Sequence, residues 1–180
     1  MLRNSAQRYG LVTKVLHWWT AMLIFALIGL GWYMVDLTYF ERWYNAALSW
    51  HKALGLLVLV LGSLMLCWKV ISASPDYPAS IGRFQRAAAT AVHHILLLML
   101  LLIPITGYLI STSAGKPVDI FGWFEIPPVI EVNTALRDAA IQIHFWCAYG
   151  TGVLALAHAA AAFKHQFIDR DGILARMLWR

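Results

Sequence analysis

His144 and His158 stand fourteen residues apart on one long apolar segment. Imidazole is the commonest side-chain ligand for a transition metal. Fourteen residues of α-helix make about four whole turns and rise about 21 Å. Both rings therefore leave the helix on the same side, one near each end of a hydrocarbon layer about 30 Å thick. A single helix that offers a ligand at each of two depths is what two stacked haem irons require.

The elements that must hold such a helix follow from composition. The chain has 180 residues, of which 61% are hydrophobic and only 13% charged, against about 25% charged in an ordinary soluble domain. Nine Trp and seven Tyr supply aromatic anchors for the membrane interfaces. Apolar runs near 15–35, 50–71, 90–111 and 139–163 each reach the length of a spanning helix. The intervals at 72–89 and 112–138 are rich in Pro, Gly, Ser and charge and read as loops. The expectation is an all-α membrane protein, one membrane domain over residues 1–180, built as a four-transmembrane-helix bundle enclosing two haems. The first run lacks a small-residue cleavage site and is too long for a signal peptide. Cys67 and Cys147 lie in apolar runs, with neither C-x-x-C nor C-x-x-C-H, so covalent c-type haem attachment and a disulfide framework are excluded.

Charge orients the bundle. Ten of the fourteen basic residues, Arg180 among them, fall on the side that carries both termini and the 2–3 loop. Arg42, Lys52, Lys116 and Arg137 fall on the other. The positive-inside rule places both termini in the cytoplasm. The net charge of +5 is then a topology signal, and no nucleic-acid partner need be invoked. With acids included, the outer side nets about −2 and the inner side about +7. The outer stretch Phe121-Gly122-Trp123-Phe124-Glu125-Ile126-Pro127-Pro128 is too short to span. It is expected to lie along the interface over the bundle mouth, the alternative being an aromatic docking surface for a periplasmic protein partner.

Topology sorts the histidines, which are costly inside a membrane and usually functional there. The outer layer holds only His51 and His144. The inner layer holds His158, with His17, His93 and His94 all open as partners at that depth. His165 falls past the last span beside Lys164 and is expected to be solvated. Ala148, Thr151 and Ala155 share the histidine face of the fourth helix. Gly55 and Gly62 share the face of His51, and Gly31 follows His17 by fourteen residues. Small residues there would let a porphyrin plane approach the backbone. Two imidazoles per iron would fill both axial positions and leave no site for oxygen, which suits electron transfer.

Several pieces together resemble the bacterial cytochrome b561 family, a relative of the di-haem cytochrome b subunits of formate dehydrogenases and nickel–iron hydrogenases. They are Leu16-His17-Trp18, His51-Lys52, His93 followed by Thr106-Gly107-Tyr108-Leu109, and the His144/His158 pair. Gly107-Tyr108-Leu109-Ile110-Ser111-Thr112 with Gly115-Lys116-Pro117 most resembles a subgroup often encoded beside a periplasmic lipid-binding protein. The resemblance implies two b-type haems, an inner one on His17/His158 and an outer one on His51/His144. It implies that His93 is no ligand but hydrogen-bonds near the inner haem or a quinone. One departure stands in the second helix, where Met65 occupies a position that is usually Arg, although Lys69 is retained.

Haem propionates need cations. Lys52, Lys116 or Arg137 would serve the outer haem, and Lys14 or Lys69 the inner one. His94 is the candidate for a proton-exchanging group near a haem. The leading expectation is a di-haem b-type cytochrome in the bacterial inner membrane. It would carry electrons across the membrane between quinone and a periplasmic donor or acceptor. The alternatives are a superoxide:quinone oxidoreductase and the membrane anchor or electron-transfer subunit of a separate dehydrogenase. No catalytic residue is nominated.

Overall fold

A computed structural model describes residues 1–78 and 80–178; Arg180, counted above among the inner cations, lies outside the described residues. Four long helices run through the chain: α1 (Leu11–Val35), α2 (Tyr44–Ile71), α3 (Arg83–Thr112) and α4 (Thr134–Lys164). All four are long and apolar enough to cross a membrane. The fold is a four-helix membrane bundle. Helices α3 and α4 begin more than a turn before the apolar runs at 90 and 139. Hydropathy marks the part of a helix that meets lipid, whereas the helix itself continues through polar residues that hydrogen-bond just as well.

Consecutive helices pack side by side, and α4 closes the ring by touching α1 more lightly than it touches α3. Few side chains along the spans are fully buried, as lipid allows. The central apolar cluster joins Leu27, Val58 and Leu100 from α1, α2 and α3, with Met65 packed against it. The position that the family resemblance marks for Arg is thus part of an apolar contact in this chain. Pro104 sits inside α3. It has no N–H to give the Leu100 carbonyl. That carbonyl faces α2, where a Cβ on Gly62 would lie 3.2 Å from it and 2.9 Å from Leu100 Cβ. Gly62 therefore serves the close approach of α2 to α3. It is not the porphyrin contact expected of it.

Polar residues at the membrane faces tie the helix ends. The first N–H groups of α1 have no side-chain cap. The N-terminal segment folds back instead, so that Leu11 and Val12 donate to the Met1 and Leu2 carbonyls. Asn4 fastens this segment. Its Oδ1 accepts from Gly10 N and Thr13 Oγ1, and its Nδ2 donates to the Ser72 and Ala73 carbonyls beyond α2. At the other face, Asn133 caps α4 by accepting from Leu136 N and donates its own N–H to the Ser113 carbonyl.

The outer 3–4 connection is more ordered than a loop. Strands β1 (Val118–Ile120) and β2 (Phe124–Ile126) pair antiparallel. The turn between them puts Phe121 and Gly122 at φ 54° and 74°, with Trp123 N donating to the Ile120 carbonyl. The left-handed conformation at Phe121 is unusual for a bulky residue. Its ring is held against Trp50, with centroids 4.6 Å apart, and Asp119 accepts from Gly122 N. Tyr108 Oη donates to the Pro127 carbonyl at 2.7 Å and binds this connection to α3.

After α4 the chain makes one π-helical turn, His165–Asp169, and a 3-10 turn, Leu174–Met177. Here the expectation of a solvated His165 is corrected. Its Nδ1 lies 2.6 Å from Asp171 Oδ2 and 3.1 Å from Asp169 Oδ2, and the side chain is only 18% exposed. The fold-back brings the Leu178 carbonyl to Lys14 Nζ at 2.5 Å and the Met177 carbonyl to Trp18 Nε1 at 3.0 Å.

Candidate haem sites

In the outer layer, His51 from the start of α2 and His144 from α4 face each other with ring centroids 6.1 Å apart. In the inner layer, His17 of α1 and His158 of α4 lie 6.2 Å apart. Imidazole–metal bonds are about 2 Å long, and about 1 Å more separates each bonding nitrogen from its ring centre, so two imidazoles on opposite sides of one metal sit about 6 Å apart. Both pairs meet that spacing. His93 of α3 also reaches His158, but at 5.2 Å. That is too close for an iron between them without movement of about 1 Å. At the inner depth, geometry favours His17 over His93.

His94 is not part of this group. It is exposed, and its Nδ1 lies 2.8 Å from the Thr90 carbonyl one turn back on its own helix. Two consecutive residues on a helix point about 100° apart; His93 turns to His158, whereas His94 bonds back along its own helix.

The outer rings sit in different surroundings. His144 Nδ1 is 2.9 Å from the Ile103 carbonyl and 3.2 Å from Thr106 Oγ1. A Cβ on Gly107 would lie 3.1 Å from its Cε1. His51 Nδ1 is buried and has no hydrogen-bond partner among the described residues. Gly31 stands against His51, since a Cβ there would meet the ring at 3.5 Å. Two imidazoles from different helices, held inside the bundle at the spacing of a shared metal, fit a pair of histidines that would hold a haem.

The match to the family model for prokaryotic cytochrome b561 covers residues 8–180. The chain belongs to the prokaryotic cytochrome b561 family. It is 41% identical to cytochrome b561 homolog 2 of Escherichia coli (strain K12) over 175 residues, 97% of this chain and 93% of the relative. It is 29% identical to cytochrome b561 homolog 1 of the same organism over 178 residues, covering 96% of this chain and 98% of the relative. A Yersinia pestis protein named probable superoxide oxidase CybB is 24% identical over 174 residues, 96% of each chain.

Membership in the cytochrome b561 family implies b-type haem and membrane electron transfer, in a multi-pass protein of the bacterial inner membrane. The remaining residues can be sorted against that. Gly55 has nothing within 4 Å of a Cβ placed on it. Of the two glycines on the His51 face, it alone keeps open space beside the backbone. Thr151, between the two histidines of α4, is buried, and its hydroxyl has no partner among the described residues. At the outer mouth, Lys52 and Lys116 are within electrostatic reach of each other, and neither pairs with a carboxylate among the described residues. Arg137 lies 4.0 Å from Asp138, and both are exposed. On the inner side, Lys69 is exposed and within electrostatic reach of His93. Lys14 is buried, with its ammonium engaged by the Leu178 carbonyl.

Sequence reasoning missed the seat of His144 on α3. Thr106 and Gly107 are part of the motif that carries the family resemblance, but the motif alone does not say what they touch. A glycine inside an apolar helix is a signal of close approach, and it was the available clue.

Proposed function

We propose that this chain is a di-haem b-type cytochrome, a single membrane domain that transfers electrons across the inner membrane between quinone and a periplasmic donor or acceptor. The observation that carries the proposal is the pair of imidazole contacts at 6.1 and 6.2 Å, at two depths of one bundle. When bound, b-type haem would supply one-electron redox chemistry. The chain contributes His51 and His144 as outer ligands and His17 and His158 as inner ligands. It half-buries all four between the helices.

The cations follow the same division. Lys52 and Lys116 lie within electrostatic reach of each other at the outer mouth, with no carboxylate partner among the described residues, and would hold an anionic propionate. Lys69, within electrostatic reach of His93, has no carboxylate partner among the described residues and would serve the inner haem. His93 then stands next to the inner ligand His158 without being one, suited to hydrogen-bond a quinone carbonyl. His94, turned to the outside of α3, is placed for proton exchange at the inner face. Both termini lie in the cytoplasm in this reading, supported by the excess of Lys and Arg on their side.

The test is an optical spectrum and haem assay of the purified protein. Two haems per chain with low-spin bis-histidine bands are expected. A colourless protein after expression with ample haem would overturn the proposal.

A second reading, superoxide oxidation at the outer face coupled to quinone reduction, draws support from the Lys52–Lys116 pair. Unpaired cations at a mouth attract a small anion, and one relative carries the name of a superoxide oxidase. Rapid mixing with superoxide should reduce haem faster than the uncatalysed background, and Lys116→Gln should slow it. Reduction no faster than background would exclude this reading.

A further inference from the structure

The ring of His144 is the one candidate ligand whose ring nitrogen meets a backbone acceptor among the described residues. Its Nδ1 lies 2.9 Å from the Ile103 carbonyl oxygen. A carbonyl can only accept, so Nδ1 must carry the proton. The neighbouring Thr106 Oγ1 donates to the Ile103 and Leu102 carbonyls at 2.8 and 3.1 Å. Its lone pairs therefore remain for His144 Nδ1 at 3.2 Å. Both neighbours accept from Nδ1, and Nε2 is left as the bare nitrogen.

Gly107 makes the approach feasible. A Cβ there would lie 3.1 Å from His144 Cε1 and 3.4 Å from Nδ1, so the imidazole rests on the backbone of α3. We propose that Ile103, Thr106 and Gly107 form a seat that fixes the tautomer and orientation of His144 and makes it the more basic ligand of its pair. This rests on the reading of His144 as a haem ligand. His51, across from it, has no partner for Nδ1. The inner rings contact one another but have no bond of this kind among the described residues.

A histidine that gives its second N–H to a carbonyl is a stronger donor to its metal. A stronger donor favours ferric over ferrous iron. The seat therefore lowers the reduction potential of the outer haem and not that of the inner one. These are positioning residues, and the readouts are potential and spectrum rather than turnover.

The experiment is a potentiometric titration with EPR of Gly107→Ala, Thr106→Val and Thr106→Ser in the full-length protein. Gly107→Ala should favour the reduced outer haem by about tenfold, a rise of about 59 mV for one electron. The EPR signal of that haem alone should change. Thr106→Val should give a smaller change confined to the same haem, and Thr106→Ser should match the parent. If Gly107→Ala does not accumulate, Thr106→Val carries the test. Two haems at parental potentials and spectra in Thr106→Val or Gly107→Ala would overturn the seat, as would equal shifts in both haems. Retention of both haems by His144→Ala would instead overturn the outer-haem reading itself.

Discussion

The outer and inner histidine groups differ in how the chain defines them. The outer group is a single pair, and one of its rings is locked by the α3 backbone. The inner group is a triad around His158, with His17 at 6.2 Å and His93 at 5.2 Å. No ring nitrogen in it meets a backbone acceptor among the described residues. Depth alone leaves one partner for His144, while His158 is left with a choice in which the family resemblance and the ring spacing both favour His17. A site fixed by hydrogen bonds to the scaffold suits a constant potential. A site with a spare imidazole beside its ligand suits exchange of electrons and protons with a mobile quinone.

The largest effects come from removing ligands. His144→Ala should abolish the outer haem and keep the inner one. His158→Ala should do the reverse, so each variant retains about one haem per chain by pyridine haemochrome assay. Loss of both haems from either variant would mean that the two sites do not fill independently. The comparison sharpens at the inner layer. His17→Ala should empty that site, whereas His93→Ala should keep two low-spin haems and alter only quinone reactivity. If His93→Ala loses a haem and His17→Ala does not, the distance argument is wrong and the inner pair is His93/His158.

Smaller effects separate packing from cofactor contact on α2. A Cβ on Gly62 meets Leu100 at 2.9 Å, so Gly62→Ala must push α2 from α3. Overpacking of this sort costs about 1–3 kcal/mol. The thermal midpoint in detergent should fall while both haems remain. Gly55→Ala meets no protein atom within 4 Å and should leave the apoprotein equally stable but weaken the outer haem. Equal behaviour of the two variants would show that the helix face carries no such division.

What the sequence made legible follows from period and depth. Four spans are visible because lipid demands long apolar runs. The His51/His144 pairing is visible because only two histidines occupy the outer depth. The roles of Gly55 and Gly62 were not separable, since one helical face serves both a neighbouring helix and a cofactor. The hairpin at 118–126 was hidden because its turn places Phe121 at positive φ, where turn signals favour Gly or Asn. His165 was misread because its partners, Asp169 and Asp171, lie at the end of a π-helical turn and just beyond it, a fold-back that no hydropathy pattern announces. The seat of His144 depends on contacts between α3 and α4, residues 41 positions apart, which spacing within one helix cannot reveal.

The smallest expected effect belongs to the cytoplasmic cap, which distinguishes the inner end of the bundle from the outer. Tyr9 precedes α1 and is held above its ordinary value of 10.0 by burial and then by the neighbouring Tyr77, with Arg176 opposing both. A raised value means that the folded cap binds the phenolic proton more tightly than the unfolded chain does. Its contribution is therefore complete below pH 10 and is lost as pH rises through the folded value. Between about pH 9 and 11 the thermal midpoint of the parent should fall slightly more than that of Tyr9→Phe, which has no proton to lose. The outer haem spectrum should stay constant over the same range, because the hairpin and the His144 seat share no residue with the cap. Parallel loss of the midpoint in parent and Tyr9→Phe would assign the alkaline sensitivity to another group.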